Sequence, residues 1–239
     1  MTNTTGTTVA LVHGAFADSS SWNGVVARLQ AAGITTTAIP NPLRGLAEDA
    51  TYVASALQQI SGPVLAVGHS YGGAVITNAA AMADNVVGLV YVAAFAPDQG
   101  ESLMQIEGDS KDSVLTSALL QQSYPTAKGT ETEFRIDPTK FRDAFAADVS
   151  PTDAAIMAAT QRPISVLGFS ETTGTPAWKK LPAWAVVPTG DKAAGTDVLR
   201  SMAQRAKAII TEAEGSHVIM ASQPQTVTDV IMQALQGSR

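Results

Sequence analysis

The chain contains no cysteine. Disulfides and thiolate nucleophiles are therefore excluded, although that absence does not fix the compartment. Histidine is nearly as scarce: His13, His69 and His217 are the whole supply in 239 residues. So few soft ligands leave little from which to build a metal site. Lysine and arginine number 15 against 21 acidic residues, the formal net charge is -6, and no basic run occurs. No nucleic-acid partner is expected on that ground. No stretch has the length and apolarity of a spanning helix, so no membrane partner is expected either. The opening segment, Met1 to Thr8, is polar and lacks signal-peptide architecture, which makes the cytoplasm the expected location. Aromatic residues make up 5% of the chain and give no sign of a polymer-binding platform. No internal repeat is visible.

What is present is apolar for a soluble protein: 45% hydrophobic and 15% charged. The length suits one sizeable domain, or one domain with an insert. Short apolar runs alternate with helical patterns. Val9–Val12 reads as a first strand, Ser21–Ala32 as a helix ended by Gly33, and Ile34–Ile39 as a β-branched second strand. Leu46–Ile60 repeats apolar residues at helical steps. Pro63–Val67 and Val86–Val92 are a third and a fourth strand. Such alternation predicts right-handed crossovers and a parallel sheet.

The rhythm breaks between Phe95 and Lys180. Six prolines punctuate that segment, and its clearest patches, Phe141–Ala147 and Thr152–Thr160, are helical. Asp137-Pro138 and Ser150-Pro151 read as helix starts, a capping side chain before a proline. An insert forming a helical lid is expected. The rhythm resumes with a fifth strand at Ala183–Val187, a helix at Thr196–Ala206, a sixth strand at Ala208–Thr211 and a closing helix at Pro224–Leu235.

The third strand runs into Gly68-His69-Ser70-Tyr71-Gly72, and a small-residue run follows. Strand, G-x-S-x-G turn and helix together predict a nucleophile elbow with Ser70 at its tip. A serine hydroxyl needs a general base, and the base needs an orienting acid. His69 adjoins Ser70 and points away across the turn, and His13 fits backbone shaping. His217, in the loop past the last strand, is the expected base. Asp191, in the loop after the fifth strand, is the favoured acid. Asp98, past the fourth strand, stays open as second choice, and Asp197 is read as serving the first turn of the next helix. The oxyanion donors are expected at the backbone of Tyr71 and of Ala15, with Phe16 as runner-up to Ala15. Candidate pocket residues are Phe16, Trp22, Tyr71, Phe95, Met104, Phe145, Met157 and Trp178. If several line the pocket, the substrate has an apolar part.

With Val12-His13-Gly14-Ala15-Phe16, the Gly68–Gly72 elbow, Asp191 and His217 in that order, the chain resembles the α/β-hydrolase superfamily over nearly its whole length. It looks most similar to the branch of plant methylesterases, hydroxynitrile lyases and small bacterial esterases. The resemblance implies a six-stranded, mostly parallel sheet flanked by helices, with residues 1–95 and 181–239 as the core and 96–180 as a mainly helical cap. It also implies no cofactor and supports Ala15 and Tyr71 as oxyanion donors, but says little about substrate; the Ser70, His217 and Asp191 set itself points to a small-molecule ester cleaved through an acyl-enzyme on Ser70. Hydroxynitrile lyases of the branch carry a lysine after the base histidine and a threonine after the first-strand histidine. Here those positions are Val218 and Gly14, which weakens the lyase reading. Perhydrolase chemistry would use the same residues. A slow-turnover, receptor-like binder on this scaffold is the rival from another class.

Overall fold

The computed structural model describes residues 6–127 and 129–238. Along the first third, β1 (Thr8–Val12), α1 (Asn23–Ala31), β2 (Thr36–Ile39), α2 (Leu46–Gln58), β3 (Val64–His69), α3 (Tyr71–Ala79) and β4 (Val86–Val92) follow one another. An insert comes next: α4 (Leu103–Gly108), α5 (Leu115–Ala118), β5 (Leu119–Thr126), β6 (Gly129–Ile136), α6 (Phe141–Phe145), α7 (Pro151–Thr160), β7 (Ile164–Ser165) and α8 (Val166–Ser170). The last third holds β8 (Ala183–Pro188), α9 (Thr196–Arg205), β9 (Ile209–Ala213), α10 (Ile219–Ser222) and α11 (Pro224–Gly237).

The main sheet has six strands in the order β2-β1-β3-β4-β8-β9, all paired in parallel. The strands β1, β3 and β8 are buried along their whole length. Their continuous apolar runs reflect a sheet covered on both faces. The helix α1 packs with α11 and α2 with α3. From β1 the chain goes out to β2 and then returns past β1 to β3. Loops after β1 and β3 therefore leave the same carboxyl edge side by side, the usual crevice for a ligand in such a sheet. Register enforces this closeness: Val12 pairs with Gly68, and His69 pairs with Val92. No helix of the described residues is long and apolar enough to cross a membrane.

The insert differs from the helical expectation. It holds a three-stranded antiparallel sheet in the order β5-β6-β7 alongside its short helices. Polar side chains hide this sheet from a hydrophobicity reading. Most of β5 is exposed, and a buried position of β6 is Glu133. That carboxylate is matched by Arg44 at 2.8 Å and by Gln122 Nε2 at 2.8 Å. The Ser150-Pro151 start holds: Ser150 Oγ accepts the Asp153 N–H at 3.1 Å. Asp137-Pro138 does not begin a helix. The Asp137 carboxylate instead takes the Thr139 N–H and hydroxyl at 2.9 and 2.7 Å, closing a turn, and α6 starts only at Phe141.

Candidate active site

Ser70 alone makes the reversal from β3 into α3. It does so at φ 52° and ψ −126°, a region that L side chains seldom adopt. Such a conformation costs about 1–3 kcal/mol and persists only where the surroundings enforce it. The enforcement is steric and hydrogen-bonded. A Cβ on Gly72 would lie 2.5 Å from the Val12 carbonyl oxygen, and one on Gly68 would lie 2.6 Å from that of Gly72. The Ser70 carbonyl accepts N–H groups from Gly73 at 2.9 Å and Phe95 at 3.2 Å. Ser70 thus stands at the N-terminal end of α3, where unpaired N–H groups favour negative charge.

The loop after β1 closes directly on this serine. A Cβ on Gly14 would sit 2.6 Å from Ser70 Cβ. Of the two candidate donors there, Phe16 spends its N–H on the Arg162 carbonyl at 3.1 Å, which removes it from competition with Ala15. His13 shapes this loop. Its Nε2 accepts the Asn41 N–H at 3.0 Å, and its Nδ1 lies 2.9 Å from the Gly14 carbonyl oxygen. Nδ1 is accordingly the protonated nitrogen, an assignment inferred from the network. Burial pushes the ring down to about 4, the bond to Gly14 opposing and the Arg162 guanidinium assisting. His13 is therefore neutral at physiological pH and ties the β1 loop to the β2 loop.

His217 lies in the loop between β9 and α10 and is almost wholly buried. Its Nδ1 is 2.6 Å from Asp191 Oδ2. The other oxygen of Asp191 accepts N–H groups from Ala193 at 2.9 Å and Ala194 at 3.0 Å, and a longer one from Gly195. The carboxylate is thus fixed from one side and offered to the histidine from the other. Asp98 is placed differently. It pairs with Lys179 at 2.5 Å, and its hydrogen bond to that ammonium holds it below the ordinary carboxylate value. Asp197 does sit in the first turn of α9, but its carboxylate binds Ser110 Oγ and the Lys111 N–H of the insert.

His69 links the two halves of the site. Its Nε2 donates to the His217 carbonyl at 2.9 Å, so the histidine loop is tethered one residue away from Ser70. The two rings lie 4.8 Å apart. Burial lowers the His69 pKa well below the usual value, and a charge on His217 lowers it further. A neutral His69 is what a buried imidazole next to another demands.

The expected pocket residues divide. Phe16, Phe145 and Met157 line one cavity of about 400 Å³ beside Val218. Met104 lines a second of about 480 Å³ with Phe134 and Phe169. The Phe16 ring lies 6.1 Å from that of Phe145, which lines the first cavity, and 6.5 Å from that of Phe169, which lines the second. Trp22, Phe95 and Trp178 line neither cavity. Trp22 is core beneath His69, the Phe95 N–H is spent on Ser70, and Trp178 Nε1 donates to the Pro97 carbonyl at 3.0 Å. The Tyr71 side chain is also diverted, its hydroxyl donating to Asp49 at 2.7 Å.

One anchoring residue has no sequence signal. Asp148, between α6 and α7, accepts the Ser216 N–H at 2.9 Å, the Ser216 hydroxyl, and the Ser222 hydroxyl at 2.6 Å. The insert thereby grips the loop that carries His217. Its partners are 68 and 74 residues away, so no local pattern marks it.

A serine on a strained strand–helix turn, and an aspartate–histidine pair in loops at the carboxyl edge of the same parallel sheet, are features of a hydrolase scaffold. The sequence matches the model of the alpha/beta hydrolase family over residues 9–230. The chain belongs to that family. Its fold is shared with polyneuridine aldehyde esterase at a TM-score of 0.81 and 18% identity, over 95% of this chain and 98% of that one. A pyrethroid hydrolase from Sphingobium faniae JZ-2 follows at 0.74 and 19%, over 97% and 98%. An extracellular α/β-hydrolase from a Paenibacillus species, described as sharing structural and functional homology with tobacco salicylic acid binding protein 2, gives 0.74 and 19% over 95% and 98%. In fold, these neighbours agree with the α/β-hydrolase resemblance read from the sequence. No curated protein sequence matches the chain.

Proposed function

We propose that this protein hydrolyses carboxylic esters through an acyl-enzyme formed on Ser70. The 2.6 Å contact between His217 and Asp191, on the sheet edge where Ser70 is held at φ 52°, carries this reading. Ser70 Oγ attacks the ester carbonyl while His217 Nε2 takes its proton. Asp191 holds the Nδ1–H tautomer and stabilises the imidazolium. The N–H groups of Ala15 and Tyr71 bind the oxyanion. Collapse of the tetrahedral species expels the alcohol, which takes the proton from His217. Water, deprotonated by the same histidine, then releases the acid and restores Ser70.

The cavity lined by Phe16, Phe145 and Met157, which mixes these with polar side chains such as Asp18 and Gln161, and the more apolar one lined by Phe134 and Phe169, suit a small ester with an apolar part. That solved neighbours include enzymes named as an esterase and a hydrolase supports ester chemistry over the other reactions of the scaffold. The test is turnover of p-nitrophenyl esters across acyl chain lengths by wild type and Ser70→Ala. The variant should lose roughly six orders of magnitude in kcat. Retention of most turnover would overturn the proposal. Release of one equivalent of nitrophenol without further turnover would favour a binder.

A further inference from the structure

A turn of the insert, residues 110–114, is clasped to the loop that carries Asp191. Lys111 N–H donates to Asp197 at 2.8 Å, Asp197 N–H to Asp112 at 3.1 Å, and Val114 N–H to the Lys192 carbonyl at 2.8 Å. Within the clasp, Ser113 Oγ lies 2.6 Å from the Ala193 carbonyl oxygen and 2.8 Å from Glu107 Oε1. A serine has one hydroxyl hydrogen, and a carbonyl oxygen only accepts. That hydrogen therefore belongs to Ala193. The contact with Glu107 is then a hydrogen bond only if the carboxyl carries a proton and donates it to Ser113. With Glu107 ionised, one of the two short contacts would set lone pair against lone pair.

The surroundings agree. Glu107 shares a cavity wall with Met104, Leu115, Leu119, Phe134 and Phe169. Burial raises its pKa to about 8 and the charge of Asp191 helps; a hydrogen bond donated by Ser113 would oppose the shift, but that hydrogen is committed to Ala193. Of the other charges around α4, Glu101 pairs with Arg205, Glu171 accepts the Ala47 N–H, Asp112 and Asp197 lie within the clasp, and Asp109 stands at the C-terminal end of the helix. Lys111 and Lys192 supply the positive charges of the clasp segments.

We propose that Glu107 is a positioning residue for the Asp191–His217 pair, acting as a neutral acid through Ser113 on Ala193, whose N–H holds Asp191 Oδ1. When Glu107 ionises, its proton goes to solvent and the Ser113 hydrogen turns toward the new carboxylate. The Ala193 carbonyl loses its donor and faces a lone pair, so the grip on Asp191 loosens and ester hydrolysis declines above neutral pH. The hydrolytic consequence rests on the roles proposed above for Asp191 and His217.

A readout that needs no turnover is the downfield proton resonance of His217 Nδ1–H, followed through pH in a Ser70→Ala background. It should step with a midpoint near 8. Adding Glu107→Gln, which keeps a donor toward Ser113 at every pH, should abolish the step, and so should Ser113→Ala. In the kinetic arm, wild-type kcat/KM falls by up to about tenfold between about pH 7 and pH 9, following the protonated fraction. In Glu107→Gln that ratio stays within about twofold. A step that persists in Glu107→Gln, or a flat resonance in the Ser70→Ala parent, overturns the proposal. A step that follows Glu107 in a protein without esterase activity upholds the positioning role and defeats the ester reading instead.

Discussion

Asp148 and Glu107 both reach from the insert to a core loop, yet they meet opposite surroundings. Asp148 collects three donors from Ser216 and Ser222 beside His217, whereas Glu107 meets one shared hydroxyl beside Asp191. Burial would raise both carboxyls. For Asp148 the serine hydrogen bonds outweigh it and hold the group below its ordinary value, while Glu107, whose one neighbouring hydroxyl gives its hydrogen to Ala193, has no such counterweight. The number of donors, not the residue type, decides which acid is charged. The two anchors therefore fail at opposite ends of the pH scale. The contribution of Asp148 is present above its unfolded value of 3.8 and is lost as pH falls through the lower folded one. Glu107 behaves inversely. Between its unfolded value of 4.5 and about 8 the unfolded chain binds fewer protons, so stability declines as pH rises and levels off above about 8.

The largest effect that sharpens this comparison lies in the pair the anchors serve. Asp191→Asn should lower kcat by about four orders of magnitude in the ester assay by presenting the wrong tautomer. A loss of under tenfold would remove the reason for anchoring its loop. Next comes Asp148→Ala, which strands the Ser216 donors. The site is solvent-touched, so the stability loss should be about 1 kcal/mol, and the melting temperature should fall by about 2–4 °C. The rate should fall by about tenfold as the His217 loop loosens. A subtler difference concerns Glu107→Gln. Its melting temperature should gain on that of wild type steadily from about pH 5 to pH 8 in scanning calorimetry. Parallel curves would mean that Glu107 is ionised throughout and that the two acids do not differ. Asp98→Asn should change kcat by less than about twofold, since Asp98 faces Lys179 rather than His217.

The same contrast explains what was legible in the sequence. The sheet was legible because parallel strands buried on both faces become apolar runs, as in Val64–Val67 and Ala183–Val187. Ser70 was legible because its constraints are local: glycines at two positions before and after, and a strand and helix on either side. His217 and Asp191 followed from strand ends, since a parallel sheet gathers those ends at one edge. The insert obeys no such rule. The β6 strand buries a glutamate that only Arg44 and Gln122 make tolerable, so its alternation carries no apolar signature. Asp148 and Arg162 act through partners far along the chain, Glu107 reaches its distant target only through nearby Ser113, and aromatic residues such as Trp22 look alike in sequence whether they line a cavity or fill the core.

The proposed mechanism requires Ser70 to carry the acyl group. It is tested most directly by quenching the protein in acid during turnover of a p-nitrophenyl ester and locating the added mass by peptide mass spectrometry. An acyl adduct is expected on Ser70, in the peptide that spans Gly68 to Gly72. An adduct on another side chain, or sustained turnover with Ser70 unmodified, would contradict it.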